Sequence, residues 1–288
     1  MIQLPKIEDP RGNLSFIEHG LNGRCPFEIE RVYWIYDVPA GAVRHPRALK
    51  HTTEMIVAMS GSFDVVLEHD NLIECIHLNR SDCGVVVEPG VIRSINNFST
   101  NSVAMVLASG PYDSSEYIFC DEKGIQDDVI SLEDKGIPGL STIVDSSHST
   151  SDVSQAQTII LPRIRHSNGS LTVAENGYES MPFNIRRVFY LFDVPADAER
   201  GGHSHYNARE LIVALTGSFD VVLEDGKNPP KRFTLNRPYQ GLYIPSGLWR
   251  TIDNFSGAAV CMVLTSERYS EEDYVRDYEM FRKLTTKQ

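Results

Sequence analysis

The sequence predicts an all-β protein of two tandem barrels with a short C-terminal helix. Two observations lead to this prediction. A long segment of the chain occurs twice, and within each copy short β-branched and aromatic runs such as RVYWIYDVP and GVVVEPG are separated by turn residues. Many short strands with few helical periods are typical of a β-barrel or a β-sandwich.

The repeat is clearest in GSFDVVLE, which occurs at Gly61–Glu68 and again at Gly217–Glu224. The neighbouring segments keep the offset, since EMIVAMSG begins at Glu54 and ELIVALTG begins 156 residues later at Glu210. Eight consecutive identities in register indicate a duplication. Because each copy exceeds 100 residues, the two copies predict two domains.

We place the first domain at residues 1–120, a linker at 121–157 and the second domain at 158–288. The linker is rich in Asp, Ser and Gly, which is typical of a connector, and a short helix is expected near Val129–Lys135. The C-terminal helix is expected at Ser270–Lys283, where SEEDYVRDYEMFRK opens with a pattern like a capping box.

Composition limits the partners of the chain. A formal net charge of −12 argues against nucleic acid, because proteins that bind it usually carry a basic face. No long apolar run occurs, and MIQLPKIEDPRG lacks the basic and apolar segments of a signal peptide, so we expect no membrane partner. The five cysteines form no CxxC pair, so we expect reduced thiols and a cytoplasmic location.

Candidate chemistry is concentrated in ERGGHSHYNARELIVALTG of the second copy. His203 and His205 are two residues apart, so they point to the same face of a strand. HxHxxxxE followed by Gly217 resembles the first motif of the cupins, so each copy is expected to be a cupin (jelly-roll) barrel. Metal-binding cupins place a last histidine where this sequence has Arg250, within GLYIPSGLWRTIDN.

A permanent cation in place of a ligand would repel a metal ion and leave too few donors. We therefore expect no metal and no cofactor, with His203 and His205 acting as base and acid or as base and proton shuttle. Arg200 is expected to bind a phosphate or to stabilise an oxyanion. Two alternatives stay open: a metal-dependent cupin that uses Glu210 with both histidines, and a hydrogen-bonded histidine pair without chemistry.

Five segments together resemble the dTDP-4-oxo-6-deoxyglucose 3,4-ketoisomerases: RRVFYLFDVPADAERGGHSH, GSFDVVLEDG, LNRPYQGLYIPSGLWR, YSEEDYVRDYEMF and, in the first copy, DPRGNLSFIE. The resemblance implies a metal-free intramolecular oxidoreductase of deoxysugar and polysaccharide biosynthesis. Such an enzyme moves the carbonyl of a dTDP-linked 4-oxo-6-deoxyhexose from C4 to C3. The resemblance assigns proton transfer to His203 and His205 beside Arg200. We also expect Tyr190, Trp249 and Arg250 to bind the substrate.

The two copies lack different parts of this site. Arg47 and Leu49 stand where the second copy has its histidine pair, and the second copy has Asn168 where the first has Arg11. The resemblance implies dimers that exchange N-terminal strands. We therefore expect an internal pseudo-dimer in which Arg11 serves the site of the second copy, and a further homo-oligomer is compatible with it. A sugar-nucleotide-binding cupin without catalysis is another alternative.

Overall fold

A computed structural model describes residues 1–20, 24–120 and 151–286 as β-strands with one α-helix in those ranges. This confirms the predicted all-β fold of two cupin barrels with a short C-terminal helix. The helix expected near Val129–Lys135 lies outside the described residues. Within the described part of the chain, no helix is both long and apolar enough to cross a membrane. The cytoplasmic location stays a prediction.

The chain divides into two compact units whose limits differ from those of the sequence copies. The unit that we call the first barrel contains Met1–Pro5, Pro162–Asn176 and the described residues of Ile17–Gly136. The unit that we call the second barrel contains Lys6–Phe16 and the described residues of Ile137–Leu161 and Gly177–Gln288. Each unit thus includes a leading segment of the other copy. The internal pseudo-dimer and a further homo-oligomer stay predictions.

Twenty-five strands make up the sheets of the described residues. In chain order they are β1 (Ile2–Gln3), β2 (Lys6–Ile7), β3 (Asn13–His19), β4 (Arg24–Cys25), β5 (Arg31–Tyr36), β6 (Arg44–Leu49), β7 (Glu54–Ser60), β8 (Phe63–His69), β9 (Leu72–Leu78), β10 (Cys83–Val87), β11 (Ile92–Asn96), β12 (Val103–Ala108), β13 (Tyr117–Phe119), β14 (Gln157–Ile160), β15 (Arg163–His166), β16 (Gly169–Glu175), β17 (Arg187–Phe192), β18 (Arg200–His205), β19 (Glu210–Thr216), β20 (Phe219–Glu224), β21 (Lys231–Leu235), β22 (Gln240–Ile244), β23 (Trp249–Asp253), β24 (Val260–Thr265) and β25 (Tyr274–Val275).

Each barrel is built from a larger and a smaller sheet. In the first barrel the strand orders are β1-β10-β7-β12-β5-β16-β15 and β13-β6-β11-β8-β9. In the second barrel they are β14-β22-β19-β24-β17-β3-β2 and β21-β20-β23-β18-β25, and β4 pairs with β3 outside these paths. The central strands β5, β12, β17 and β24 are buried along their whole length, as continuous apolar runs predict for strands covered on both faces.

The glycine that opens the repeated GSFDVVLE has a physical reason in both copies. Gly61 has φ +64° and Gly217 has φ +65°, which a residue with a Cβ atom adopts only with strain. A Cβ atom would also lie 2.9 Å from the Cα atom of Ser102 in the first barrel and of Ala259 in the second. The tight entry to this strand therefore requires glycine twice.

The predicted start of the C-terminal helix at Ser270 is wrong. The structure has a 3₁₀ turn at Glu271–Asp273, then strand β25, and the helix α1 covers Tyr278–Thr286. Ser270 makes no side-chain capping hydrogen bond. The resemblance to a capping box therefore did not correspond to a helix start.

The side chain of Asp273 explains this difference. Its carboxylate accepts hydrogen bonds from the backbone N–H groups of Asn207 (2.7 Å) and Ala208 (3.2 Å). Immediately after it, β25 pairs with the end of β18. These tertiary contacts hold the segment against the smaller sheet and outweigh its local helix propensity.

Candidate active site

A cavity of about 430 Å³ in the second barrel combines cationic with apolar walls. Its arginines are Arg11, Arg187, Arg200, Arg250 and Arg276. Its apolar side chains are Ile7, Leu14, Phe16, Phe189 and Leu191. Among the residues that the structure describes, no carboxylate lines this cavity. An acidic protein therefore presents a locally positive surface that can attract an anion.

The leading segment of the first copy forms one wall of this cavity. The Arg200 guanidinium donates a hydrogen bond to the carbonyl of Gly12 (2.9 Å) and lies 3.6 Å from the Asp9 carboxylate. Arg11 forms a two-pronged ion pair with Asp9, and its side chain is 62% exposed. Arg11 therefore lies at the rim, in the same cavity as His203.

The structure brings together four of the predicted site residues at this cavity, namely Arg11, Arg200, His203 and Arg250. Tyr190 and Trp249 are not among the residues that line this cavity, and their role in substrate binding stays a prediction. Side chains alternate along a strand. Since Phe189 and Arg250 line the cavity, Tyr190 and Trp249 point to the opposite faces of their strands. Trp249 packs instead against Tyr278 and Phe281 of α1, with ring centroids 5.1 and 5.5 Å away.

Two buried imidazoles lie side by side at the end of β18. The ring centroids of His203 and His205 are 5.0 Å apart and the rings are nearly perpendicular. The strand register shifts just before them, between Gly201 and His203. A Cβ atom on Gly201 would lie 2.9 Å from the carbonyl oxygen of Arg250, so glycine permits the close approach of these two strands.

Two carboxylates flank His205. Its Nδ1 lies 3.0 Å from Asp273 Oδ2, and its Nε2 lies 3.5 Å from Glu210 Oε1. Burial alone would lower the pKa of His205, but the interactions with Asp273 and Glu210 outweigh it and raise this pKa above its ordinary value. His205 is therefore the more basic imidazole of the pair.

His203 has the opposite electrostatic environment. Burial, and secondly the nearby cation of Arg250, hold the pKa of His203 well below its ordinary value. Its Nε2 is buried and has no hydrogen-bond partner among the described residues. The cavity wall therefore offers a neutral imidazole that is open to a ligand.

Glu210 and Arg250 form a buried pair behind the histidines. The Arg250 Nε donates to Glu210 Oε2, and its Nη2 donates to Glu210 Oε1 at 2.9 Å. Burial alone would raise the pKa of Glu210, but the charge of Arg250 outweighs it and lowers this pKa well below its ordinary value. Glu210 is thus ionised, and its negative charge is compensated by the guanidinium of Arg250.

The same residues can be tested against the metal site that other cupins carry. One potential ligand atom each of His203, His205 and Glu210 lies within 4.8 Å of the other two. However, both carboxylate oxygens of Glu210 bind the guanidinium of Arg250, whose permanent charge would repel a metal ion. A divalent ion also needs three or four ligands that are free to converge. This donor set does not fit a metal.

Sequence reasoning missed Asp273 and Tyr274. The Tyr274 ring centroid lies 4.9 Å from that of His203 and 4.4 Å from that of His205, and its hydroxyl accepts a hydrogen bond from Arg187 (3.0 Å). A signal was present in the repeat, because Glu116 and Tyr117 of the first copy also place an acid before a tyrosine.

The chain matches the WxcM-like, C-terminal family (FdtA) over residues 1–123 and 154–286. The chain belongs to this family. Both copies carry the family sequence, which supports the tandem duplication. The match covers most of the chain and excludes mainly the predicted linker.

A TDP-4-oxo-6-deoxy-alpha-D-glucose-3,4-oxoisomerase from Aneurinibacillus thermoaerophilus is 39% identical over 131 residues, which are 46% of this chain and 93% of that protein. The structure of the WlaRB TDP-quinovose 3,4-ketoisomerase from Campylobacter jejuni is 41% identical, with 44% of this chain and 97% of that chain covered and a TM-score of 0.42. The structure of the 3,4-ketoisomerase QdtA from Thermoanaerobacterium thermosaccharolyticum is 34% identical, with 46% of this chain and 95% of that chain covered and a TM-score of 0.44. The family match and the Aneurinibacillus thermoaerophilus relative confirm the predicted resemblance and the prediction of an isomerase.

Proposed function

We propose that the second barrel is a sugar-nucleotide 3,4-ketoisomerase. Its substrate is a dTDP-linked 4-oxo-6-deoxyhexose, and its product carries the carbonyl at C3. The observation that carries this proposal is a pair of buried imidazoles with unlike pKa values, one of which, His203, lines an arginine-rich cavity. The curated relative that acts on a TDP-4-oxo-6-deoxyglucose supports the choice of substrate.

The reaction needs only proton movements. The C4 carbonyl acidifies the hydrogen at C3, and a base removes it. The electrons of the C3–H bond form a C3=C4 double bond while O4 takes a proton, which gives an enediol or enediolate. O3 then loses its proton and becomes the carbonyl at C3, while C4 takes up a proton. Electrons and atoms balance without an external oxidant or reductant, and positioned imidazoles suit each transfer.

The two imidazoles can divide this work because they differ in proton affinity. His203 is neutral and lies on the cavity wall, so it can contact the sugar directly. His205 is the stronger base, and Asp273 fixes its orientation through Nδ1. One imidazole handles the carbon-bound proton and the other carries protons for the two oxygens.

The arginines supply the binding energy and the charge stabilisation. Arg11 and Arg200 lie where the exchanged leading segment meets β18, and guanidinium groups bind diphosphates through charge-assisted hydrogen bonds. Arg250 lies next to the histidines and can stabilise negative charge that develops on O3 or O4.

Incubation of the full chain with dTDP-4-oxo-6-deoxyglucose in deuterated water tests this function. We expect a 3-oxo product with deuterium in the sugar ring, detected by NMR and mass spectrometry. The His203→Asn/His205→Asn double variant is the control and should give neither. If either His203→Asn or His205→Asn alone still incorporates deuterium at C3 without isomerisation, the histidine that remains in that variant is the base that removes the C3 proton. Binding without exchange or product would overturn the proposal in favour of a non-catalytic cupin.

A further inference from the structure

The first barrel keeps the arginines of the cavity although it lacks both histidines. By the repeat, Arg31, Arg44 and Arg93 correspond to Arg187, Arg200 and Arg250. Arg47 adds a fourth arginine at the position of His203. These four arginines are buried, with exposed fractions of 3% (Arg31), 6% (Arg44), 6% (Arg47) and 2% (Arg93).

Strand register confirms that these positions are equivalent in space. Arg47 pairs with Arg93 across β6 and β11, as His203 pairs with Arg250 across β18 and β23. The Arg47 guanidinium lies 5.1 Å from the ring centroid of Tyr117, which takes the place of Tyr274. The interior of the first barrel therefore repeats the layout of the cavity with a guanidinium in place of an imidazole.

A barrel that served only for packing would not require this interior. Burying a guanidinium costs several kcal/mol unless partners compensate, and apolar side chains of similar volume are often more stabilising. Glu54 compensates part of the charge, because Arg93 Nε donates to it at 2.8 Å and the Tyr33 hydroxyl donates to it at 2.6 Å. Arg31 is less well paired, since its Nε lies 4.0 Å from the nearest oxygen of Glu175.

Two of the buried donors in this cluster have no acceptor among the residues that the structure describes. Arg31 Nε and Arg93 Nη1 have no hydrogen-bond partner among the described residues. In the second barrel the equivalent donor, Arg187 Nε, is also buried and has no hydrogen-bond partner in the described part of the chain, and Arg187 lines the cavity. The same open donor in both barrels points to the same kind of acceptor, the oxygen of an anionic ligand.

We propose that the first barrel binds a phosphorylated small molecule and does not convert it. Arg47 and Leu49 replace the histidine pair, so the barrel keeps groups that hold an oxyanion and lacks groups that move protons. The choice of a nucleoside diphosphate as the ligand rests on the proposed function of the second barrel. The binding of a phosphate group does not rest on it.

Binding stoichiometry tests this proposal. In titration calorimetry of the full chain with dTDP, we expect two molecules bound per chain. Arg47→Gln should reduce this to one and leave ketoisomerase turnover within about twofold of the parent. Arg80→Gln is the matched control, because Arg80 is a 59% exposed arginine of the same barrel that pairs with Asp82. Thermal unfolding of each variant checks that it is folded.

Inorganic phosphate is the second probe and distinguishes the two sources of the ligand. If dTDP displaces phosphate from the first barrel, the ligand is a nucleotide. If phosphate binding is lost in Arg47→Gln but does not respond to dTDP, the ligand is free phosphate. One dTDP per wild-type chain, with no bound phosphate that persists in excess dTDP, overturns the proposal without any variant that must fold. Loss of the proposed isomerase activity would leave the stoichiometry unchanged, so the two failures can be told apart.

Discussion

At the scale of single residues, the surroundings of two neighbouring imidazoles set their proton affinities. Both His203 and His205 are buried, and burial disfavours the charged form of each. The difference arises because Arg250 adds a cation beside His203, whereas Asp273 and Glu210 place carboxylates beside His205. A base and a proton carrier of unlike strength can thus be made from one residue type.

We expect His203→Asn and His205→Asn each to lower kcat at least about a hundredfold, the usual effect of losing a general acid or base. Steady-state turnover of dTDP-4-oxo-6-deoxyglucose measures this. His69→Asn is the control, because the His69 side chain is 63% exposed and belongs to the other barrel. Dialysis against a chelator should leave the parent rate unchanged. A fully active double variant would refute the assignment, and a chelator-sensitive rate would favour the metal-dependent alternative.

Asp273 is predicted to be a positioning residue for His205. Asp273→Asn removes a charge-assisted hydrogen bond worth about 1.5–3 kcal/mol, so kcat should fall about ten- to a hundredfold. Without the carboxylate, the raised pKa of His205 should fall, which NMR titration of its ring protons detects as a midpoint at lower pH. Asp277→Asn is the control, since the Asp277 side chain is exposed and caps α1. An unchanged His205 midpoint would contradict this role.

The raised pKa of His205 also predicts how stability depends on pH. The folded protein binds this proton more tightly than the unfolded chain does, so the stabilisation is complete below the unfolded pKa of about 6.5 and is lost as pH rises through the folded pKa. Urea unfolding across this window should show a decline in the free energy of unfolding. Asp273→Asn should flatten the decline. An equal decline in that variant would mean that another group causes it.

At the scale of elements, local sequence predicted strands better than it predicted the start of the C-terminal helix. Buried runs such as RVYWIY are specified by their own residues. The segment after Ser270 carries a helix-start pattern, but Asp273 binds backbone N–H groups far away in sequence, which no local pattern contains. The sequence did not show which residue of the aromatic pair Phe189–Tyr190 faces the interior, and only the structure places Phe189 at the cavity.

The leading segment of the first copy is predicted to serve the second barrel. Arg11→Ala should remove a charge-assisted hydrogen bond to a phosphate, which contributes about 1.5–3 kcal/mol of binding free energy. We therefore expect kcat/KM to fall about ten- to a hundredfold. Asn168→Ala is the matched control at the equivalent position, where Asn168 accepts a hydrogen bond from Arg44 in the first barrel (3.2 Å). Its effect on kcat/KM should be small. Equal effects of the two variants would show that Arg11 contributes only to folding.

At the scale of the whole molecule, the repeat made the architecture predictable because equivalent positions of the two copies keep their strand register even where the residues differ. Glu54 with Arg93 and Glu210 with Arg250 form the same buried pair in both barrels. The sequence also showed that the first copy lacks the histidine pair, since Arg47 and Leu49 replace the two histidines. The side chains around these two replacements could not be predicted from the sequence, because the hydroxyl of Tyr33 and the partners of Arg31 come from separate strands.

The first barrel is predicted to have no turnover of its own. One candidate base is His51, two residues after Leu49, whose side chain is 83% exposed and whose Nε2 lies 3.9 Å from Glu116. An imidazole in water on the surface cannot supply a desolvated, oriented base, so His51→Ala should leave kcat within about threefold of the parent. The matched comparison is His205→Asn, measured in the same assay. A loss in His51→Ala as large as that in His205→Asn would place chemistry in the first barrel as well. The anion-binding interior of the first barrel would then have to be interpreted as a second active site.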